Sequence, residues 1–191
     1  MIGNDIVDLK ETKLTTNWER RGFLDKIFTD NEQKMISDAN DPFKTVWKLW
    51  SMKESAYKVF IQAGGKRFYN PKKIACQFED GFDQVSIEFM KFQTETICNH
   101  DYILSTARMD DADSKSFVYN LPERDIKKQS AFLKQQFIAD FSIHNDLNFG
   151  DLVIRKTDVG VPKLLYKDKE LDVSFSLTHH GIYGSYSVLN F

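Results

Sequence analysis

The sequence predicts an α+β protein of two similar modules, each with a helix packed on a three-stranded antiparallel sheet. Three observations carry this. An apolar pattern of helical period runs over about 42–62, period-two alternation follows between 74 and 108, and the same order of helix then strands returns after 124. The acidic, Ser-containing stretch DDADSKS at 110–116 lies between them, which places modules at 1–110 and 125–191 with 111–124 joining them. No residue-level repeat is visible, so the duplication rests on element order alone.

In chain order, IGNDIVDL reads as a strand end carrying Asp5 and Asp8. WERRGFLDKIF at 18–28 puts Phe23, Leu24, Ile27 and Phe28 on one helical face, and Thr29 with Glu32 forms a capping box that opens a second short helix. Asp41-Pro42 combines an N-cap acceptor with the residue best suited to the first helical position, and Val46, Leu49, Trp50, Ala56, Tyr57 and Phe60 continue at helical spacing until Gly64-Gly65. Ile74, Cys76 and Phe78, a turn at Asp80-Gly81, then Val85, Ile87 and Phe89 read as a hairpin, with a third strand near 101–108. The second half opens with a helix over about 124–143 carrying Ile126, Leu133, Phe137 and Phe141. Strands follow near 151–157, 163–167, 171–178 and 182–190.

Composition excludes several classes. With 191 residues, 41% apolar and 14% aromatic, the chain can bury a core and is not a disordered tail. No apolar run approaches the roughly 18 residues of a membrane span, and MIGNDIVDLKET lacks a basic segment followed by an apolar one, so no secretory leader is expected. Cys76 and Cys98 have no metal or disulfide spacing, which suits a reducing, cytoplasmic setting. A net charge of -2 argues against general nucleic-acid binding. Neither GxxxxGK[ST], GxGxxG nor GxSxG occurs.

Several residue types could carry chemistry, each beside a plainer account. Glu54 and Lys58 share a helix face and could serve a metal and a phosphate, or form an exposed ion pair worth about 0.2–0.5 kcal/mol. Asp5 and Asp8 could give hard oxygen ligands to a divalent cation, or be solvated turn residues. His179 and His180, in SLTHHGIY between two alternating patterns, sit at a hairpin tip either as phosphate donors or as surface residues.

Taken together, GNDIVDL at 3–9, WSMKESAYK at 50–58 and SFSLTHHGIY at 174–183 resemble the 4′-phosphopantetheinyl transferases. FTDNE at 28–32 resembles that family's Phe-(Ser/Thr)-x-x-Glu segment and GVPKL at 160–164 its Gly-Lys-Pro segment. The resemblance implies transfer of the 4′-phosphopantetheine group of coenzyme A to a serine of an apo acyl or peptidyl carrier protein, with Mg²⁺ (or Mn²⁺) as cofactor and adenosine 3′,5′-bisphosphate as product. By match to the motifs, Asp5 and Glu54 would hold the metal. Lys58 and His179, with Thr178 beside it, would contact coenzyme A. Glu54 and Lys58 form the catalytic pair, Glu54 acting as base directly or through bound water.

Two departures from the pattern matter. The lysine of Gly-Lys-Pro is replaced by Val161, which makes Lys66, Lys128 and Lys163 candidates to compensate, and Val7 stands where larger members carry a further acid. The motif order matches the small holo-acyl-carrier-protein synthases, but the length suits the larger type. The resemblance therefore implies a pseudodimer within one chain and a monomer enclosing its own site. An acidic carrier partner implies a basic and apolar docking face, with Arg20, Arg21, Lys26, Lys44, Lys48, Met35 and Ile36 as candidates. Two other readings use the same residues: a non-catalytic coenzyme A or carrier-binding module, and a metal-dependent diphosphate hydrolase.

Overall fold

The first half of the chain wraps one long helix in an antiparallel sheet. The structure, a computed structural model, describes residues 1–79 and 82–191. It runs β1 (Ile2–Asp8), α1 (Leu9–Thr15), α2 (Phe23–Ile27), α3 (Asp30–Ser37), α4 (Pro42–Gln62) and β2 (Ile74–Glu79) to β5. The strands between are β3 (Phe82–Ile87), β4 (Met90–Cys98) and β5 (Tyr102–Arg108), in sheet order β1-β5-β4-β3-β2. The Asp80-Gly81 turn lies outside the described residues.

As the sequence predicts, Asp41 caps α4 by accepting from Lys44 N, and Thr29 and Glu32 form a reciprocal capping box on α3. The buried stripe Val46, Leu49, Met52, Ala56 and Val59 packs on Val85, Ile87, Phe92, Ile103 and Ala107 of the sheet. Gly3 lets this helix approach β1. A methyl group there would fall 2.1 Å from the Ser55 carbonyl oxygen and 3.0 Å from Val59. Gly3→Ala is therefore expected to lift α4 from β1 and lower stability by about 1–3 kcal/mol in urea unfolding. An unchanged midpoint would mean that this approach is not needed.

The second half contains β6 (Ser114–Asn120), α5 (Ile126–His144), β7 (Leu152–Lys156), β8 (Pro162–Tyr166), β9 (Lys169–Glu170), β10 (Phe175–His180) and β11 (Tyr183–Leu189). One sheet has the order β10-β11-β6 and a smaller one the order β7-β8-β9. Phe137 and Phe141 of α5 pack on Phe175, Tyr186 and Val188, with Phe137 and Phe175 stacked at 4.3 Å between centroids.

The α+β class holds, with corrections to its elements. The first sheet has five strands rather than three, because β1 joins it and β4 is an additional strand. Phe89, 89% exposed, lies in the β3–β4 turn, where Glu88 takes a positive φ of 55°, and not on a strand face. The helix expected over 18–28 is confined to α2, started by Gly22 at φ 78°. Ser114–Asn120, within the stretch read as joining the modules, is a strand paired to β11. Ile126 is 70% exposed and outside the α5 core stripe. Among the described residues, no helix is long and apolar enough to cross a membrane.

Candidate active site

The site forms where β1, α4 and β10 meet. Asp5 lies mid-strand in β1, where its carbonyl accepts from Ser51 Oγ of α4 at 2.8 Å, and that hydroxyl in turn accepts from the N–H of Ser105 on β5. Its carboxylate lies 3.4 Å from Lys58 Nζ and accepts from Thr178 Oγ1 of β10 at 3.3 Å. Lys58 also donates to the Asn4 carbonyl, and Gln62, one turn further along α4, donates to the Ile2 carbonyl at 2.7 Å. The helical spacing 54, 58, 62 thus lays one face of α4 along the edge of β1.

Glu54 and His179 face a cavity of about 540 Å³ between the two halves of the chain. Its walls come from α4, the segment 67–71, α5 near Ser130–Lys134, the β7–β8 connection, and Ser176, Leu177 and His179 of β10. Aromatic and aliphatic groups such as Trp50, Tyr57, Phe68 and Leu133 line it together with the cations Lys58, Arg67, Lys134 and Lys156.

Cations outnumber carboxylates in the cavity wall, where Glu54 is the carboxylate; Asp5 does not line the cavity but lies near enough for its charge to act on Glu54. Burial and the neighbouring charge of Asp5 push the Glu54 carboxyl up to about 6, against a lowering pull from Lys58. Burial also raises Asp5, opposed by Lys58, Thr178 and His180. His179 is held below the usual histidine value by burial and by the positive charges of Lys58 and Lys156, which favours its neutral ring.

Among the described residues no cluster of three or more His, Cys, Asp or Glu side chains could hold a metal ion. Two carboxylates alone suit an ion such as Mg²⁺, which is commonly held by one or two carboxylates while phosphate oxygens and water complete its shell. The donor set fits, since a cation beside Asp5 and Glu54 would offset both the burial and the Asp5 repulsion that raise Glu54.

Other candidates fall elsewhere. Asp8 caps α1, its Oδ1 accepting from Lys10 N and Glu11 N at 3.0 Å and its Oδ2 from Ile182 N at 3.1 Å, so its lone pairs serve the backbone. His180 is not at a solvent-facing tip, because its Nδ1 accepts from Asp8 N at 3.0 Å. Lys128 pairs with Glu123 and Lys163 with Glu170, each at 2.6 Å, and neither they nor Lys66 line the cavity. Ile36 belongs to the core, whereas Arg20, Arg21 and Lys26 are exposed and Met35 is half-buried. Lys48 pairs with Asp83 at 2.8 Å, and Lys44 is half-buried near the start of α4.

Sequence reasoning missed the cations Arg67, Lys134 and Lys156. Lys134 had a signal, since it adjoins Leu133 and follows Ser130 by one helical turn, so the α5 stripe points it toward the same space. Arg67 and Lys156 had none, because loop and strand-end placement decides them.

The fold is α+β, with a cleft between its halves lined by several cations, the Glu54 carboxylate and His179. The chain belongs to the 4′-phosphopantetheinyl transferase superfamily, whose family model matches residues 1–116, from β1 into β6. Among solved structures it is similar to a holo-(acyl-carrier-protein) synthase of Thermotoga maritima, at 8% identity and a TM-score of 0.44, over 88% of this chain and 83% of that one. No curated protein matches.

Proposed function

We propose that the protein transfers the 4′-phosphopantetheine group of coenzyme A to a serine hydroxyl of an apo acyl or peptidyl carrier protein, releasing adenosine 3′,5′-bisphosphate. The observation that carries this is the meeting of Asp5, Glu54 and Lys58 from two elements beside a cleft walled by His179. The family match supports it.

In this reading the serine oxygen forms a bond to the phosphorus that bears the pantetheine arm. The bond from that phosphorus to the bridging oxygen breaks, and the bridging oxygen leaves with the adenosine bisphosphate. Displacement of this kind depends on alignment and charge neutralisation more than on a protein nucleophile. Asp5 and Glu54 would hold Mg²⁺, which when bound supplies positive charge to the diphosphate. Glu54, in the cavity wall, takes the serine proton directly or through a bound water. Lys58 is anchored on the Asn4 carbonyl and the Asp5 carboxylate, which leaves one ammonium proton for a diphosphate oxygen. His179, Lys134, Lys156 and Arg67 bind the other phosphates of coenzyme A.

The two halves form a pseudodimer in this reading, with modules meeting near 111–124 and a monomer as the working unit. The carrier docks on Arg20, Arg21, Lys26 and Met35. Charge reversal at Arg20 and Arg21 is expected to raise carrier KM several-fold at low salt, with the difference shrinking as salt is added. An unchanged carrier KM would remove both from the interface.

The test is mass spectrometry of apo carrier proteins incubated with coenzyme A, Mg²⁺ and the protein. Gain of one phosphopantetheine with release of adenosine 3′,5′-bisphosphate is expected. Unmodified fatty-acid, polyketide and peptide-synthesis carriers would overturn the reading. Nucleotide release from coenzyme A without any carrier would point to a hydrolase instead.

A further inference from the structure

The edge of β1 away from β5 would ordinarily offer a row of unpaired backbone groups. Here they are answered by Ser174, just before β10, and by side chains of β10, one at every second residue. Ile2 N donates to Ser174 Oγ at 2.9 Å and Asn4 N to Ser176 Oγ at 3.1 Å. Ile6 N donates to Thr178 Oγ1 at 3.3 Å and Asp8 N to His180 Nδ1 at 3.0 Å. All four pairs are separated by the same 172 positions, so the two strands run side by side in one fixed parallel register although they belong to different sheets. The carbonyls of two of the same β1 residues accept from α4: Ile2 from Gln62, and Asn4 from Lys58. The peptide groups flanking Asn4 therefore tie Ser176 to Lys58, and the Asp5 carboxylate ties Thr178 to Lys58.

We infer that Ser174, Ser176, Thr178 and His180 form a positioning ladder that sets the register of β10 against β1 and so places His179 relative to Asp5, Glu54 and Lys58. The rungs alternate with Phe175, Leu177 and His179. Phe175 packs in the α5 core, while Leu177 and His179 continue the same face into the cavity. The lateral rungs of a strand pair are ordinarily backbone to backbone. Short hydroxyl side chains leave β10's own backbone free to pair with β11 while still fixing its position along β1. A slip by one rung would carry His179 about 7 Å along the strand, beyond any shared contact with a ligand held at Lys58. Even a displacement of about 1 Å is large for a transfer reaction.

This inference rests on the proposed transfer for its kinetic consequence, but the ladder can be tested without it. Ser174→Ala with Ser176→Ala removes the two rungs farthest from His179, and because Ser176 also lines the cavity, Ser174→Ala alone, outside that wall, must show a coenzyme A KM change in the same direction. Hydrogen exchange at the amides of Ile2 and Asn4 is expected to accelerate. The KM for coenzyme A is expected to rise about tenfold or more and kcat to fall, while carrier KM stays within about twofold. A folded double variant with wild-type kinetics and only a lower melting temperature would show that the rungs are simple glue, and would overturn the inference.

Should the double variant not fold, Ser174→Ala alone is expected to raise coenzyme A KM about two- to threefold, with Ser174→Thr restoring it. Equal KM in both single variants would overturn the inference. If the wild type modifies no carrier, the proposed function fails, and calorimetric affinity for coenzyme A decides the ladder separately. Weaker binding by the double variant supports it. Equal binding, or no binding by the wild type, rejects it.

Discussion

Glu54→Gln is expected to slow carrier modification by about 10²–10⁴-fold and yet to make the metal-free protein more stable at neutral pH. Both effects come from one carboxylate. Burial and Asp5 raise its value from 4.5 to about 6, so the folded state binds the proton more tightly than the unfolded chain does. For a carboxyl raised in this way, stability declines as pH climbs from 4.5 through 6 and the full penalty is present above that range. Glutamine matches the protonated form in shape and carries no charge, so it escapes the penalty. At pH 8 with chelator, the variant should gain about 1–2 kcal/mol in urea unfolding, with the gain vanishing near pH 4. Added Mg²⁺ should raise the melting temperature of the wild type and leave that of the variant nearly unchanged. A variant that modifies carrier at the wild-type rate would sink both the metal-ligand and the base assignments. Parallel pH-stability profiles would show that Glu54 is not strained by its surroundings.

What could be read in the sequence follows from how local its cause is. Asp41-Pro42 and the Thr29–Glu32 box act within one helical turn, and both form as spacing predicts. Helix α1 has the same kind of signal in Asp8 followed by Glu11, but residue type alone leaves Asp8 open as a cation ligand or a solvated turn residue, and its oxygens in fact cap the helix. Strand β4 was silent because one of its two buried side chains is Thr94 beside Phe92, so period-two hydrophobicity is nearly absent. For the site, helical spacing put Glu54 and Lys58 on one face. Only the family resemblance joined them to Asp5, whose position depends on a sheet edge packed under α4. The polar alternation in SFSLTHH was visible, but nothing local says that its partners are the backbone amides of β1.

Replacing Lys53 by methionine should cause the largest loss of stability of any single change outside the apolar core. Lys53 precedes Glu54 in the Lys-Glu motif, but its ammonium is turned away from the cleft it borders. It is 1% exposed, and its three protons go to Glu32 Oε2 at 2.7 Å, the Ile27 carbonyl at 3.1 Å and the Pro71 carbonyl at 3.0 Å. Glu32 is completely buried and also accepts from Thr29 N at 2.7 Å and Cys76 N at 2.8 Å. One ion pair thus pins the end of α2, the start of α3, β2 and the cavity-lining segment near Pro71 onto α4. Methionine fills the volume but leaves the Glu32 charge buried without its counter-ion, which costs about 3–5 kcal/mol. Glu32→Gln added to Lys53→Met removes that stranded charge while a side-chain oxygen can still accept from one of the two amides. The double variant should therefore recover part of the loss, although the Ile27 and Pro71 carbonyls remain without their donor. Urea unfolding of the two variants beside wild type reads this ordering directly. A Lys53→Met protein within about 1 kcal/mol of wild type, or a double variant less stable than the single one, would mean that the pair does not carry the charge balance of this interior.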